Sequence, residues 1–169
     1  MSVKIDLYNA IKTRLETVSS LRNVLHYNGQ DLFNYEKEHA RRFPQAWVQL
    51  TSTTWKPSEL EAYNKNRTRQ QKSDQCIISI YSATFSLDDD DDTFETDLIL
   101  IDDIYRAITL LDGSNFTALE RINEEDSPTN NNVRVWLQQY STMLTEQAVA
   151  GTLEDVAPVD LTIDKTILP

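Results

Sequence analysis

Between residues 94 and 111, apolar side chains recur every three or four positions, which is the spacing of one face of an α-helix. Asp92 or Thr93 could cap the first turn, and acids at this end also complement the helix dipole. Gly113 is a typical residue to stop such a helix. The apolar stripe consists of Phe94, Leu98, Ile101, Ile104, Tyr105, Ile108 and Leu111. A helix with this stripe must pack on a second layer of structure.

Other segments supply that second layer. Residues 3–18 predict a first amphipathic helix, and residues 23–27 suggest a short strand. Residues 46–55 and 75–85 predict a long hairpin of strands, with 75–85 central because both of its faces carry apolar residues. Residues 133–140 alternate and predict a further strand. Helices separated by hairpin-paired strands predict an α+β fold: a mostly antiparallel sheet with two main helices on one face.

Several polar segments are harder to assign. Residues 31–42 fit a loop or a short helix, residues 116–122 an element of uncertain type, and residues 124–132 a turn. Residues 148–158 look loose, after which Val159, Leu161 and Ile163 alternate with polar residues as in a one-faced strand. We therefore expect an α+β domain over 1–147. We expect residues 148–169 to form either a C-terminal arm that adds a strand to a neighbouring subunit or an extra edge strand on their own sheet.

Charge and cysteine content restrict the function. The chain has 16 basic and 27 acidic residues, a formal net charge of −11, which argues against a general nucleic-acid binder. Cys76 is the only cysteine, so no internal disulfide is expected, and its place within a strand predicts a buried structural thiol. The polar start carries no apolar signal core, and no apolar stretch is long enough to span a bilayer. We expect a protein made in a cytoplasm, without a membrane role.

No group of residues predicts catalysis, a cofactor or a metal. His26 and His39 do not have the spacing of metal ligands, and three glycines leave no phosphate-binding loop. The five consecutive aspartates at 88–92 lack the spaced ligands and the glycine of a calcium loop. They are interpreted as a solvated run that caps the following helix, or as a docking strip for a basic partner.

The features that remain point to assembly. Residues 65–72 contain four bases and no acid at the expected tip of the hairpin, where they are either solvated or in contact with acid such as Asp88–Asp92 of a neighbouring subunit. Contacts between unlike patches of one molecule propagate head to tail and can close into a ring. Trp55, near the polar end of the hairpin, is an interface candidate. The candidate partner-binding residues are Trp55, Lys65, Arg67, Arg69, Lys72, Asp88, Asp89, Asp90, Asp91, Asp92, Val159, Leu161 and Ile163.

The order of these elements resembles the tail terminator (tail completion) proteins of long-tailed bacteriophages. The likeness rests on the first helix, the strand Phe43–Leu50 with its end near Trp55, the strand Cys76–Phe85 and the helix Leu98–Leu111, and it spans about residues 3–145. The resemblance implies a homo-hexameric ring that caps the tail tube and joins it to neck or connector proteins at the tail–neck junction of the virion. It implies no enzymatic activity and no cofactor.

The acidity is compatible with this resemblance, because a negatively lined channel lets DNA pass through the lumen without specific binding. Two other functions remain open from the sequence. One is a neck or head-completion ring protein of the same virion. The other is an acidic intracellular binding or inhibitor domain that mimics nucleic acid and binds a basic partner with strong salt dependence.

Overall fold

The computed structural model describes residues 2–29, 43–55, 68–85, 91–130 and 132–149. The elements are α1 (Val3–Leu15), β1 (Asn23–His26), β2 (Gln45–Trp55), β3 (Thr68–Phe85), α2 (Asp91–Ile108), β4 (Glu120–Asn130), β5 (Val133–Thr142) and β6 (Thr145–Val149).

The strands form one sheet in the order β1-β2-β3-β5-β4, and β6 pairs with the first residues of β3. The short β1 runs parallel to β2, while every other pair is antiparallel. This confirms the predicted α+β class with a mostly antiparallel sheet. The central position predicted for residues 75–85 is also confirmed, because β3 lies between β2 and β5.

The main core lies between the sheet and both helices, which pack on the same face as predicted. The stripes of the two helices are fully buried at Leu7 and Ile11 of α1 and at Ile104 and Ile108 of α2. They pack against sheet residues such as Ile78, whose side chain is completely inaccessible. Burial of such large aliphatic side chains contributes about 1.5–3 kcal/mol each, so this layer dominates the stability of the fold.

A smaller apolar cluster, here called the outer-face cluster, lies on the opposite face of the sheet. Its buried members are Phe43, Trp47, Ala83, Val133 and Val135. Tyr27, Tyr81 and Phe85 pack around it as partly buried residues. The central strands are therefore apolar on both faces at this end of the sheet.

Two polar segments form strands that the sequence did not predict. Residues 68–72 belong to β3, where they pair with β6, although they were expected in a hairpin tip. Residues 124–130 belong to β4, although they were expected in a turn. Both segments lack apolar alternation, so their strand structure comes from hydrogen bonding to a neighbouring strand. Pro128 is compatible with β4 because β4 is the last strand of the sheet.

The ends of α2 also differ from expectation. The helix begins at Asp91, so Asp92 and Thr93 lie within its first turn and neither is the cap. It ends at Ile108, and the left-handed residue that follows is Leu110, with φ of 64°, whereas Gly113 was the expected stop. Gly113 instead permits a close approach, because a Cβ there would lie 2.5 Å from Cε1 of Phe116.

We expect Leu110→Gly to stabilise the protein by up to about 1 kcal/mol. The left-handed conformation costs a residue with a Cβ about 1–2 kcal/mol, and the Leu110 side chain is 73% exposed, so little packing is lost. The midpoint of urea unfolding should rise. Ile99→Gly, at an exposed position within α2, is the matched control and should lower the midpoint. A lower midpoint for Leu110→Gly as well would contradict the prediction.

Candidate assembly surfaces

The last strand of the sheet, β4, is an acidic edge. Glu120, Glu124, Glu125 and Asp126 are exposed, and Arg121 is the only base among residues 120–130. In the described part of the chain, β4 pairs only with β5, so its other edge presents backbone N–H and C=O groups. Charged side chains on such an edge disfavour unspecific pairing with other strands. They also restrict its partners to complementary charge.

Side-chain contacts tie β4 to helix α2. The guanidinium of Arg121 lies 4.0 Å from the ring centroid of Tyr105 and forms an ion pair with Glu124. The amide Nε2 of Gln138 on β5 donates to Glu124 Oε2 at 3.1 Å and to the carbonyl oxygen of Ile101 at 3.3 Å. These contacts hold the edge strand at a defined position relative to the helix.

A second set of contacts holds the start of α2 beside the C-terminal half of β4. Asp97 is 2% exposed, and its Oδ2 lies 3.4 Å from Arg134 Nη1 on β5. Phe94 packs on Trp136, with ring centroids 6.4 Å apart, and Trp136 is paired in the sheet with Asp126. The first turn of α2 therefore lies near the C-terminal half of β4. Glu125 and Asp126, the exposed acids in this half of β4, are here called the acidic corner.

The electrostatics of Asp97 reflect this position. Burial raises the pKa of Asp97, whereas the hydroxyl of Thr84 and the charge of Arg134 act to lower it. The negative charge of Asp126 acts in the same direction as burial and raises this pKa further. This rise in the pKa of Asp97 agrees with the position of Asp126 on β4, close to the start of α2.

The opposite end of the sheet extends into a two-stranded ribbon, here called the basic arm. It consists of residues 68–72 of β3 paired with residues 145–149 of β6, and its sequence contains two bases, Arg69 and Lys72, and one acid, Glu146. At its base, the backbone N–H of Ser73 donates to the carbonyl oxygen of Leu144 at 2.8 Å, and the N–H of Leu144 donates to Ser73 Oγ at 2.7 Å. A two-stranded ribbon alone is only marginally stable in water.

The basic arm and the acidic corner are far apart on one molecule. Gln70 marks the middle of the arm, and Ser82 lies in the same row of the sheet as Trp136 and Asp126. At about 3.3 Å per residue, the distance along β3 from Gln70 to Ser82 is about 40 Å. The middle of the arm and the C-terminal half of β4 are therefore far apart within one subunit.

Between these patches, the outer face of the sheet carries an uncharged polar row. Thr51 Oγ1 lies 2.7 Å from Ser79 Oγ, and Gln139 Nε2 donates to the same Ser79 oxygen at 3.3 Å. Asn123 Nδ2 continues the row by donating to Gln139 Oε1 at 3.2 Å. The row crosses β2, β3, β5 and β4, on the face that does not carry the helices.

The structure describes only some of the predicted partner-binding residues. Trp55 ends β2 opposite Ser73, Arg69 and Lys72 lie in the basic arm, and Asp91 and Asp92 begin α2. The basic residues at 69 and 72 are thus in a paired strand, whereas a flexible tip was expected. Eight predicted residues lie outside the described part of the chain: Lys65, Arg67, Asp88, Asp89, Asp90, Val159, Leu161 and Ile163. The expected domain boundary after residue 147 falls inside β6.

The described residues contain no group of three or more His, Cys, Asp or Glu side chains that could hold a metal ion. Cys76 is fully buried, as predicted, and burial raises the pKa of its thiol. His26 is exposed and lies edge-on to Tyr8, with ring centroids 5.7 Å apart, whereas His39 lies outside the described residues.

No described helix has the length and apolar character needed to cross a membrane.

Sequence reasoning missed the acidic edge and the Asp97–Arg134 pair. A signal for the pair was present, because Asp97 lies three residues after Phe94 and four before Ile101, on the apolar face of the helix. A carboxylate at such a position needs a buried partner. No comparable signal marked β4, whose sequence ERINEEDSPTN has the composition of a loop.

No family model matches this chain, and no curated protein matches it. A solved structure of similar fold is a chain in the virion of a native gene transfer agent (GTA) particle. The two share 9% sequence identity with a TM-score of 0.50, and the match covers 83% of this chain and 95% of the other. This likeness establishes a common fold over nearly the whole of the virion chain.

Proposed function

We propose that the protein is a structural subunit of a phage-like virion, and specifically a tail terminator. In this role it forms a ring, most simply a homo-hexamer, that caps the tail tube and joins it to the neck. The observation that carries the proposal is the fold shared with a virion chain over 95% of that chain's length. The order of elements that resembles tail terminators points to the same class.

The described surface is compatible with this role. An assembly subunit needs contact surfaces, and this one has an acidic edge strand, β4, and a two-stranded ribbon that extends β3 beyond the sheet. The net charge of −11 suits a ring through which DNA slides, because phosphate is repelled from acidic walls. The proposed partners are further copies of the chain, the tail tube protein and the neck proteins, and the proposed function requires no catalysis.

Tube capping is the decisive test. Purified protein is added to polymerising tail tube protein from the same virus, and tube lengths are measured by negative-stain electron microscopy. We expect growth to stop and one ring to appear at a tube end, while native mass spectrometry shows a closed oligomer. Bovine serum albumin at equal concentration controls for unspecific effects.

Three other outcomes would each reject the terminator role. A ring that binds neck or portal complexes but not tubes would indicate a neck protein. A monomer that forms a salt-sensitive 1:1 complex with a basic protein would indicate an acidic binding or inhibitor domain. A protein that neither assembles nor binds tubes would contradict a virion role as well.

A further inference from the structure

We infer that the sheet edge formed by α1 and β1 in one copy docks on the opposite edge, formed by α2 and β4, in the next copy. The inference rests on the proposed function, because it names the contact by which the subunits join. The strands β1 and β4 are the two ends of the order β1-β2-β3-β5-β4, and both helices pack on one face of this sheet. Each edge therefore consists of a helix beside an end strand, but the side chains of the two edges differ.

The α1–β1 edge is an open, largely apolar groove with basic side chains beside it. Ile5, which is 51% exposed, and Tyr8 line this groove together with Lys4, and its volume is about 400 Å³. The ring of Tyr8 lies edge-on to His26 of β1, so the helix and the strand form one surface. Lys12 lies one turn after Tyr8, and its side chain is 41% exposed. This edge combines exposed apolar surface with two bases.

The α2–β4 edge carries apolar side chains with acids beside them. Phe94 and Leu98 lie one turn apart on α2, and each is 42% exposed. Phe94 packs on Trp136 of β5, whose partner in β4 is the exposed Asp126. Glu95 is also exposed and lies three residues before Leu98 on the same helix. This edge combines exposed apolar surface with acids.

Charge distinguishes the two edges. Residues 2–29, which contain α1 and β1, have four basic and two acidic side chains. Residues 94–126, which contain most of α2 and β4, have two basic and nine acidic side chains. Opposite charges steer two surfaces together, whereas like charges disfavour contact between two identical edges. The edge that complements each of these surfaces in charge is thus the other edge of a second copy.

Exposed apolar surface is concentrated at the same two edges. Among the described residues, eight large hydrophobic side chains are exposed, and six of them belong to α1, β1, α2 or β4. The six are Ile5, Leu25, Phe94, Leu98, Ile99 and Ile122. Apolar surface of this kind with polar residues around it marks sites of protein–protein contact. The two edges therefore complement each other in apolar character as well as in charge.

The strand order determines the type of symmetry. Three strands separate β1 from β4, so at about 4.8 Å per strand the two edges are about 19 Å apart and cannot meet within one subunit. Because the two edges are different, their contact is heterologous, and each added copy offers one new free edge of each kind. Such a chain of contacts closes into a ring when the rotation between copies divides a full turn.

A charge-swap experiment tests the contact. One variant reverses the α1–β1 edge (Lys4→Glu with Lys12→Glu), and another reverses the α2–β4 edge (Glu95→Lys with Asp126→Lys). At low salt, we expect each variant alone to associate at least about tenfold more weakly than the wild type, because like charges then face each other. Mixing the two should restore oligomers in which the variants alternate, with 1:1 composition by native mass spectrometry.

Two further variants test the apolar part of the contact without changing the charge. Ile5→Gln and Leu98→Gln should each weaken association about tenfold, because apolar surface that is buried between copies is lost. Leu110→Gln is the matched control and should associate like the wild type, since Leu110 is 73% exposed and lies outside both edges. The defects of Ile5→Gln and Leu98→Gln should persist at high salt.

Controls separate this contact from a general effect of charge or folding. Asp103→Lys with Asp112→Lys makes the same charge change as the α2–β4 variant and should associate like the wild type, because Asp103 lies on another side of α2 from Leu98 and Asp112 lies beyond the helix. Circular dichroism should show that every variant is folded. The defects of the charge-reversed variants should shrink as ionic strength rises, because exposed charges are screened.

The inference is overturned if either charge-reversed variant associates like the wild type, or if their mixture fails to form 1:1 oligomers. A wild type that stays monomeric at every concentration also overturns it, because the contact needs no third component. If such a monomer binds tail tube protein and Ile5→Gln abolishes the binding, the groove contacts the tube instead. The proposed function is judged separately: variants that assemble and cap tail tubes like the wild type would leave the terminator role intact and reject only this contact.

Discussion

Replacing Trp47 with alanine is expected to lower the free energy of unfolding by about 3–5 kcal/mol. The Trp47 side chain is completely buried in the outer-face cluster, where it packs with Phe43, Ala83 and Val133. Its removal loses the transfer free energy of a large aromatic group and leaves a cavity, which a β-sheet held on both sides by neighbouring strands cannot readily close. Urea unfolding followed by circular dichroism measures the loss.

Ile99→Ala is the matched control, because Ile99 is 55% exposed on α2 and its truncation should cost less than about 0.5 kcal/mol. If Trp47→Ala is unfolded in buffer, Trp47→Leu provides a smaller step that keeps a bulky apolar group. A loss below about 1 kcal/mol for Trp47→Ala would mean that the outer-face cluster is not a packed core.

Replacing Arg134 with methionine is expected to cost about 3 kcal/mol at pH 7. The substitution leaves the carboxylate of Asp97, which is 2% exposed, without its charged partner, and breaking such a pair typically costs 3–5 kcal/mol. We expect a cost at the lower end of this range because the Arg134 side chain is 27% exposed, so water already screens part of its charge. The loss would also release the start of α2 from β5.

The cost should depend on pH in a defined direction. The pKa of Asp97 in the folded state is already above its ordinary value of 3.8, and loss of the Arg134 charge raises it further. A folded-state pKa above the unfolded one contributes stability that is present below the unfolded value and lost as pH rises through the folded one. The destabilisation by Arg134→Met should therefore be smallest near pH 4 and largest at pH 7.

Two further variants isolate the buried charge as the cause. Asp97→Asn with Arg134→Met removes both charges, so it should be more stable at pH 7 than Arg134→Met alone and lose the additional pH dependence. Arg106→Met breaks an exposed ion pair on the same helix, with Asp102 at 3.5 Å, and should cost less than about 1 kcal/mol. A cost for Arg134→Met that does not change between pH 4 and pH 7 would contradict the mechanism.

These two positions bear differently on the proposed assembly. Trp47 stabilises the sheet on which every surface is built, so its loss should reduce folding and assembly together. Arg134 holds the start of α2 beside β4 through its ion pair with Asp97. A folded Arg134→Met protein whose self-association is weakened would connect this buried pair to assembly.

The sequence by itself determined the elements whose apolar residues have a regular period. The stripe from Phe94 to Leu111 predicted α2, and the alternation in residues 75–85 and 133–140 predicted the central strands β3 and β5. A helix or strand that buries one face needs apolar residues at the spacing of that element, so the pattern can be recognised in the sequence alone. The prediction of a buried Cys76 was confirmed for the same reason.

Only the tertiary structure decided the edge strand and the arm. The residues of β4 and those at positions 68–72 of β3 are polar, and they form strands because a neighbouring strand supplies hydrogen-bond partners at the right register. Such pairing depends on backbone groups, which are the same for nearly every residue type, and it leaves no apolar period to read. The start of α2 likewise lies beside β4, more than thirty positions away in the chain, because side-chain contacts between α2 and β5 bring this helix end near the sheet edge.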